Sequence, residues 1–436
     1  MIHTYEEALS WIHGRLRLGI KPGLSRMEWM MERLGHPENK IKAIHVAGTN
    51  GKGSTVSYLR NILQEAGYKV GTFTSPYIET FNERISVNGY PISDDEIVSL
   101  LNAIKPLAEE LEELELGGPT EFEVITAMAL YYFGERADID FVIMEVGLGG
   151  RFDSTNIIKP LTSVITSIGL DHMNILGESI EEIASEKAGI IKQNIPVVSA
   201  VSQEEAIDII FNKAKEEKSP FYQLEQDFFI LNHQSNNGET FTLKAHNKTF
   251  QNLTITMKGA HQVRNASIAV IVVQILQSNG VLQVRDSQLV AGLAKTKWIG
   301  RFEEISKEPQ VILDGAHNPE GVKCLVDTIK THLSDKKVHL IFSALADKKL
   351  HVMIEQLEEV AHTLTFTSFE FPRAAKTSEL YENSSRGEKI RTIDNWHEAL
   401  DHEIEHVASE ENAVLVVTGS LYFIAEVRSY LVKKNG

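Results

Sequence analysis

The sequence holds a single cysteine, Cys324, among its 436 residues. No intramolecular disulfide can form, and the chain is expected in a reducing compartment, the cytoplasm. Long apolar runs are lacking too. The longest, residues 268–276, is interrupted by Gln274 and falls far short of the ~20 residues that span a bilayer, so no membrane partner is expected. The opening residues lack a basic stretch followed by an apolar one, which argues against a secretion signal. Positive charge is scarce: 43 Lys and Arg face 60 Asp and Glu, for a formal net charge of -17. Such a surface repels nucleic acid phosphates and excludes a non-specific DNA or RNA binder. It also repels any anionic substrate, so a site for one must gather its cations locally.

What is present is an ordinary globular balance, 42% apolar and 24% charged, in a chain long enough for two or three domains. Short apolar runs rich in β-branched residues, 41–47, 141–146, 163–168 and 196–201, read as buried strands. Helical patterns lie between them, as at 55–66, with Val56, Leu59, Ile62 and Leu63 on one face. This alternation predicts an α/β fold with a mostly parallel sheet. Residues 228–257 have another texture, two strand-like runs around Asn236-Asn237-Gly238, and a long helix is expected over 262–276. A second α/β series begins after Lys297, with strands at 310–313, 338–342, 363–367 and 413–418. The expected division is therefore residues 1–296, a P-loop-type domain, and 297–436, a Rossmann-like domain. The polar segment 375–389 reads as a surface loop, and the acidic stretch 109–115 as a solvated helix face.

The strongest local signal is Gly48-Thr49-Asn50-Gly51-Lys52-Gly53-Ser54-Thr55, which follows a predicted strand and opens a predicted helix. Glycines let the backbone curl and turn N–H groups toward an anion, the helix start adds a favourable dipole, and Lys52 supplies charge. The spacing G-x-x-G-K-G-S departs from G-x-x-x-x-G-K-[ST]. Glu145 ends the strand 141–146 just before a glycine-rich loop. Ligands of α/β sheets lie at the carboxyl ends of strands, where a carboxylate can hold Mg²⁺ or equally serve a cap or an ion pair.

With these residues in view, the chain resembles the folylpolyglutamate synthase/dihydrofolate synthase family of Mur-type amide ligases. The ATP-loop-like segment is followed, in family order, by Thr74-Ser75-Pro76, Glu83-Arg84-Ile85, Glu145-Val146-Gly147-Leu148-Gly149-Gly150-Arg151 and Leu170-Asp171-His172. Next come Glu186-Lys187-Ala188-Gly189-Ile190, His261-Gln262 with Asn265, Gly300-Arg301, Asp314-Gly315-Ala316-His317-Asn318 and Thr418-Gly419-Ser420. The resemblance covers nearly the whole chain. The loop begins at Gly48, which leaves no room for the UDP-sugar-binding domain of the cell-wall branch.

The resemblance implies a ligase that phosphorylates a folate carboxylate with ATP and couples the acyl phosphate to L-glutamate, extending reduced folates and also accepting dihydropteroate. It implies ATP binding by Asn50, Gly51, Lys52, Gly53, Ser54, Asn265, Arg301, Asp314 and His317. Two Mg²⁺ ions are implied, with Ser75, Glu145 and His172 as ligands, and a carbamylated Lys187. Lys52, Lys187 and His172 are the expected catalytic groups. Substrate binding is implied for Thr120, Glu121, Phe122 and Glu123, and for Arg151, Phe152 and Asp153. The loop departs from the family pattern at Phe152 and Ser154, where Leu and Ala are commoner. A monomer is expected. A related ligase with another acceptor shares these motifs, whereas a non-catalytic nucleotide binder would dispense with Glu145, His172 and Lys187, which are all present.

Overall fold

The apolar run near residue 45 becomes β1 (Ala43–Ala47), buried at every position. It lies inside an eight-stranded sheet with β2 (Val70–Phe73), β3 (Ile85–Val87), β4 (Tyr90–Pro91), β5 (Phe141–Glu145), β6 (Thr162–Ile165), β7 (Val197–Ser199) and β8 (Phe221–Gln223). The order is β4-β3-β2-β5-β1-β6-β7-β8. From β2 to β8 along that order the strands are parallel, while β3 and β4 fold back antiparallel at one edge. Val46 pairs with Glu145 on β5, and Ala47 with Ile165 on β6, so the carboxyl ends of these three strands lie level.

The helix after β1, Lys52–Glu65, buries Val56, Leu59, Ile62 and Leu63, the face its spacing requires. Each contributes on the order of 2 kcal/mol. The helix Asp286–Lys295 packs on it so closely at Gly292 that a Cβ there would lie 2.5 Å from the Ile62 Cα.

Three further strands, β9 (Phe229–Asn236), β10 (Gly238–Ala245) and β11 (Lys248–Ile255), form a sheet in the order β11-β10-β9. The expected turn falls between β9 and β10, where Gly238 takes φ 123°. The long helix is Ala260–Ser278.

A six-stranded sheet comes next in the chain, from β12 (Glu303–Lys307), β13 (Gln310–Asp314), β14 (Lys337–Phe342), β15 (Thr363–Ser368), β16 (Ile390–Asn395) and β17 (Ala413–Thr418), in the order β12-β13-β17-β14-β15-β16. Only β12 is antiparallel. Alternate residues feed two cores: Val414 and Val416 of β17 join one, Leu415 and Val417 the other. The segment 375–389 is not wholly a loop, because it contains the helix Thr377–Glu382, opened by the Lys376 N–H donating to Glu379 Oε2 at 3.0 Å.

The chain forms two compact units in this computed structural model. The first comprises Met1–Leu231, Thr242–Leu253 and Arg264–Thr296, and the second Asn232–Phe241, Thr254–Val263 and Lys297–Gly436. Described residues are 1–19, 21–245 and 248–435. Among them, no helix is long and apolar enough to cross a membrane.

Candidate active site

In the first unit the chain leaves β1 through Gly48, at φ 151°, and enters its helix through Gly51, at φ 87°. Neither position tolerates a side chain. A Cβ on Gly48 would fall 1.9 Å from Thr166 Oγ1, and one on Gly51 2.4 Å from Asn265 Oδ1. The segment after β6 pins the loop. Thr49 N–H donates to the Ser167 carbonyl at 2.9 Å, Asn50 N–H to Ser167 Oγ at 3.0 Å, and Thr166 Oγ1 to the Asn50 carbonyl at 2.6 Å. Lys52 Nζ donates back to the carbonyls of Gly48 at 3.0 Å and Thr49 at 3.3 Å. Among the described residues no side chain caps the helix start at Gly51, so the first-turn amides, those of Gly53 and Ser54 included, point to where an anion can bind. Thus Asn50, Gly51, Lys52, Gly53, Ser54 and Asn265 come together. Thr166 and Ser167 were missed in the sequence, since two small polar residues after a strand carry no signal of their own.

Glu145 ends β5 with 4% of its surface exposed. Beyond it the loop 147–153 is organised by Asp153. This buried carboxylate accepts from the Leu148 N–H and the Thr155 N–H, both at 2.9 Å, and from Thr155 Oγ1 at 2.5 Å. Thr155 Oγ1 in turn lies 2.8 Å from Nε2 of the buried His45. Burial raises the Asp153 carboxyl above the usual range, against the pull of those donors. Burial, aided by the Lys192 charge, pushes the His45 imidazole down to about 3, so it stays neutral. His45 breaks an otherwise apolar strand, and that was its signal in the sequence. Arg151 and Phe152 are exposed on the loop, with the guanidinium carbon 5.1 Å from the phenyl centroid.

Thr120 and Glu123 turn out to form a capping box on the helix Glu121–Tyr131. Thr120 N–H donates to Glu123 Oε2 at 2.7 Å, and Glu123 N–H to Thr120 Oγ1 at 3.2 Å. Arg26 Nε also holds the Glu123 carboxylate, at 2.9 Å and 3.1 Å, while Glu121 pairs with His13 at 3.0 Å. The T-x-x-E spacing could have revealed the box. Phe122 reaches elsewhere: its ring lies 5.8 Å from that of Phe73, and a Cβ on Gly147 would meet it at 2.5 Å.

Ser75 follows β2 and is half-buried. His172 is exposed, in a left-handed conformation at φ 52°, where it precedes the short helix Met173–Leu176. Its N–H donates to the carboxylate of the buried Asp171 at 2.9 Å. Lys187 is buried on the helix Ile180–Ala188, which Ser179 and Glu182 open with a capping box. Burial and the nearby Lys52 charge lower its ammonium to about 7, against the opposing pull of Asp171 and Asp153.

The second unit gathers Arg301, Asp314, His317 and His261. Asp314, at the end of β13, accepts from the Phe302 N–H at 2.8 Å and the Ala316 N–H at 2.9 Å, and burial raises its carboxyl despite the Arg301 charge. Arg301 lies so close to the Gly315 backbone that a Cβ there would be 2.5 Å from its Nη1. His317 Nδ1 donates to the Gly315 carbonyl at 2.8 Å, and Asn318 caps the helix Pro319–His332. Desolvation and Arg301 push the His261 imidazole down to about 4.

The glycine loop after β1, the buried carboxylate at the end of β5 and the buried lysine on the helix Ile180–Ala188 sit in a chain that matches the Mur-type ligases. The Mur ligase middle domain matches residues 105–273, and the Mur ligase, glutamate ligase domain residues 300–421. Full-length relatives narrow this: the dihydrofolate synthase/folylpolyglutamate synthase of Bacillus subtilis is 50% identical over 99% of this chain and 100% of its own. The folylpolyglutamate synthase of Lacticaseibacillus casei is 34% identical over 98% of this chain and 99% of its own. The Mycobacterium tuberculosis folylpolyglutamate synthase complexed with ADP and AMPPCP superposes with a TM-score of 0.90 at 28% identity, covering 98% of this chain and 99% of that one. The chain belongs to the dihydrofolate synthase/folylpolyglutamate synthase family.

Proposed function

We propose that this protein is an ATP-dependent ligase that adds L-glutamate to folates, and that it also accepts dihydropteroate. It works as a cytoplasmic monomer, with residues 1–296 as its ATP-binding part and 297–436 as its Rossmann-like part. One observation carries the reading. The phosphate loop leaves β1, Ser75 follows β2, Glu145 ends β5 and His172 follows β6, so all stand at the carboxyl edge of adjacent parallel strands. Active sites of α/β sheets lie at that edge.

Joining a carboxylate to an amine requires activation, and the first obstacle is that two anions must meet. Lys52 and the first-turn amides of its helix take the ATP phosphates, with Asn265 beside them and Arg301, Asp314 and His317 as further nucleotide contacts. The buried carboxylate of Glu145 suits Mg²⁺, a hard cation that prefers oxygen, and Ser75 and His172 would complete its ligands. A Mg²⁺ ion held there would supply positive charge against the phosphate oxygens. The substrate carboxylate attacks the γ-phosphorus, ADP leaves, and an acyl phosphate results. The neutral glutamate amine then attacks the acyl carbon, phosphate leaves, and the amine proton passes to solvent. Phe122, Arg151 and Phe152 contact the pterin-bearing substrate, while Thr120, Glu121, Glu123 and Asp153 hold the surfaces that present them. Lys187, half neutral near pH 7, can add its amine to CO₂ with loss of a proton. The resulting carbamate would offer anionic oxygens to hold a second Mg²⁺.

Labelled-glutamate incorporation with dihydropteroate and tetrahydrofolate, side by side, tests the proposal. Glutamate should enter both, with one phosphate released per amide formed. Incorporation into tetrahydrofolate alone removes the dihydropteroate half. Incorporation at the wild-type rate by Lys52→Ala or Glu145→Ala protein refutes the mechanism.

A further inference from the structure

The second unit buries polar groups that the ligase reaction does not use. His339 stands in β14 with its side chain fully buried, on the strand Lys337–Phe342 whose neighbours are apolar. Glu403, also fully buried, occupies an inward position of the helix Trp396–Ser409 between Leu400 and Val407. Its Oε1 accepts from Thr365 Oγ1 at 2.7 Å and from the Arg391 guanidinium at 3.3 Å, but among the described residues its Oε2 has no hydrogen-bond partner, lying 3.5 Å from Nδ1 of His406. Burying a carboxylate oxygen without a partner costs free energy unless something else compensates it.

Around this pair stand further donors. His339 Nδ1 lies 2.8 Å from Thr363 Oγ1, its partner across β15, and its Nε2 lies 2.9 Å from Glu410 Oε2. The His406 ring is 4.7 Å from that of His339. One ligand atom each from His339, His406 and Glu410 falls within 4.8 Å of the others. At the rim, His362 Nε2 lies 3.9 Å from Glu410 Oε1.

From this we infer a site for a divalent transition metal of the zinc class, held by His339, His406 and Glu410, with the half-exposed His362 as a fourth ligand. Two or three imidazoles with one carboxylate match the preference of Zn²⁺ rather than Mg²⁺. Metal bonds of about 2.1 Å place ligands roughly 3.5 Å apart in a tetrahedron, so the cluster closes by about 1 Å on loading. His339 binds through Nε2, since Thr363 faces its Nδ1. His406 also binds through Nε2, its Nδ1 lying 3.3 Å from the Arg391 guanidinium and 3.5 Å from Glu403 Oε2, contacts that orient the ring. The ion ties the end of the helix Trp396–Ser409 to β14. It is structural, distinct from the magnesium of the ligase reaction.

The test uses full-length protein stripped with a chelator and titrated with zinc alone, magnesium being in excess to fill sites of hard oxygen ligands. The expected result is one zinc per chain, lost in His406→Ala and in Glu410→Gln, with glutamate ligation in both variants within about twofold of wild type. Cobalt(II) should give a tetrahedral visible spectrum in wild type only. Glu410→Gln keeps the shape of a half-exposed side chain, so it guards against a folding failure in the other variant. Equal zinc uptake by wild type and both variants overturns the inference, as does no uptake by wild type at about 10 μM free zinc.

Discussion

Lys187 shows how much a single side chain depends on its surroundings. Its ammonium is lowered from 10.5 to about 7 by burial and by Lys52. In the unfolded chain it binds a proton that the folded chain lacks between those values, so the cost of burying the ammonium is full below about pH 7, shrinks as pH rises from there and is gone above 10.5. Because the unfolded state binds more protons in that window, stability rises with pH across it. Urea midpoints of wild type should therefore rise from pH 7 to pH 9 relative to Lys187→Met, which carries no such slope. In the same variant kcat should fall about 100-fold or more if the amine is part of the machinery. The segment Thr120 to Glu123 divides by residue. Glu123→Ala strands Arg26 and breaks the capping box, and should cost about 3 kcal/mol in chemical denaturation. Phe122→Ala, whose ring faces Gly147, should instead raise the folate KM about tenfold, read from initial rates. A KM effect of Glu123→Ala as large as that of Phe122→Ala would contradict this division.

At the level of the element, the loop between β1 and its helix is set by close approach. Gly48→Ala places a methyl on Thr166 Oγ1 in a backbone region that L residues avoid, and should cost about 3 kcal/mol and raise the KM for ATP. Stability and steady-state measurements together check this. Elements like this one were legible because a buried parallel strand is a continuous apolar run, and β1, β5, β6, β13, β14, β15 and β17 all announce themselves so. The short edge strands β3 and β4 did not. Nor did β12 and β16, whose Glu303-Glu304-Ile305-Ser306-Lys307 and Ile390-Arg391-Thr392-Ile393-Asp394-Asn395 are half polar because one side faces solvent. The glycine loop and Glu145 could be read as motif and strand end. The network around Asp153 and the pinning by Thr166 and Ser167 could not, because each joins residues far apart in sequence whose types are individually unremarkable.

For the whole molecule, the net charge of -17 sets the encounter with substrates that are themselves anions. Screening should weaken that repulsion, so kcat/KM for ATP should rise by roughly twofold between about 10 mM and about 150 mM salt. A steep fall over the same range, in stopped-flow or steady-state rates, would mean that local cations dominate the encounter. The strand order also governs how the protein comes to exist. β1 is flanked by β5 and β6, and its first hydrogen-bonding partner, Val142, lies roughly a hundred residues downstream. At ~5–20 residues per second the ribosome leaves that greasy ribbon unmated for seconds. The second sheet repeats the delay, as β13 waits for β17. A nascent chain of this design is a natural client for chaperones at the exit tunnel.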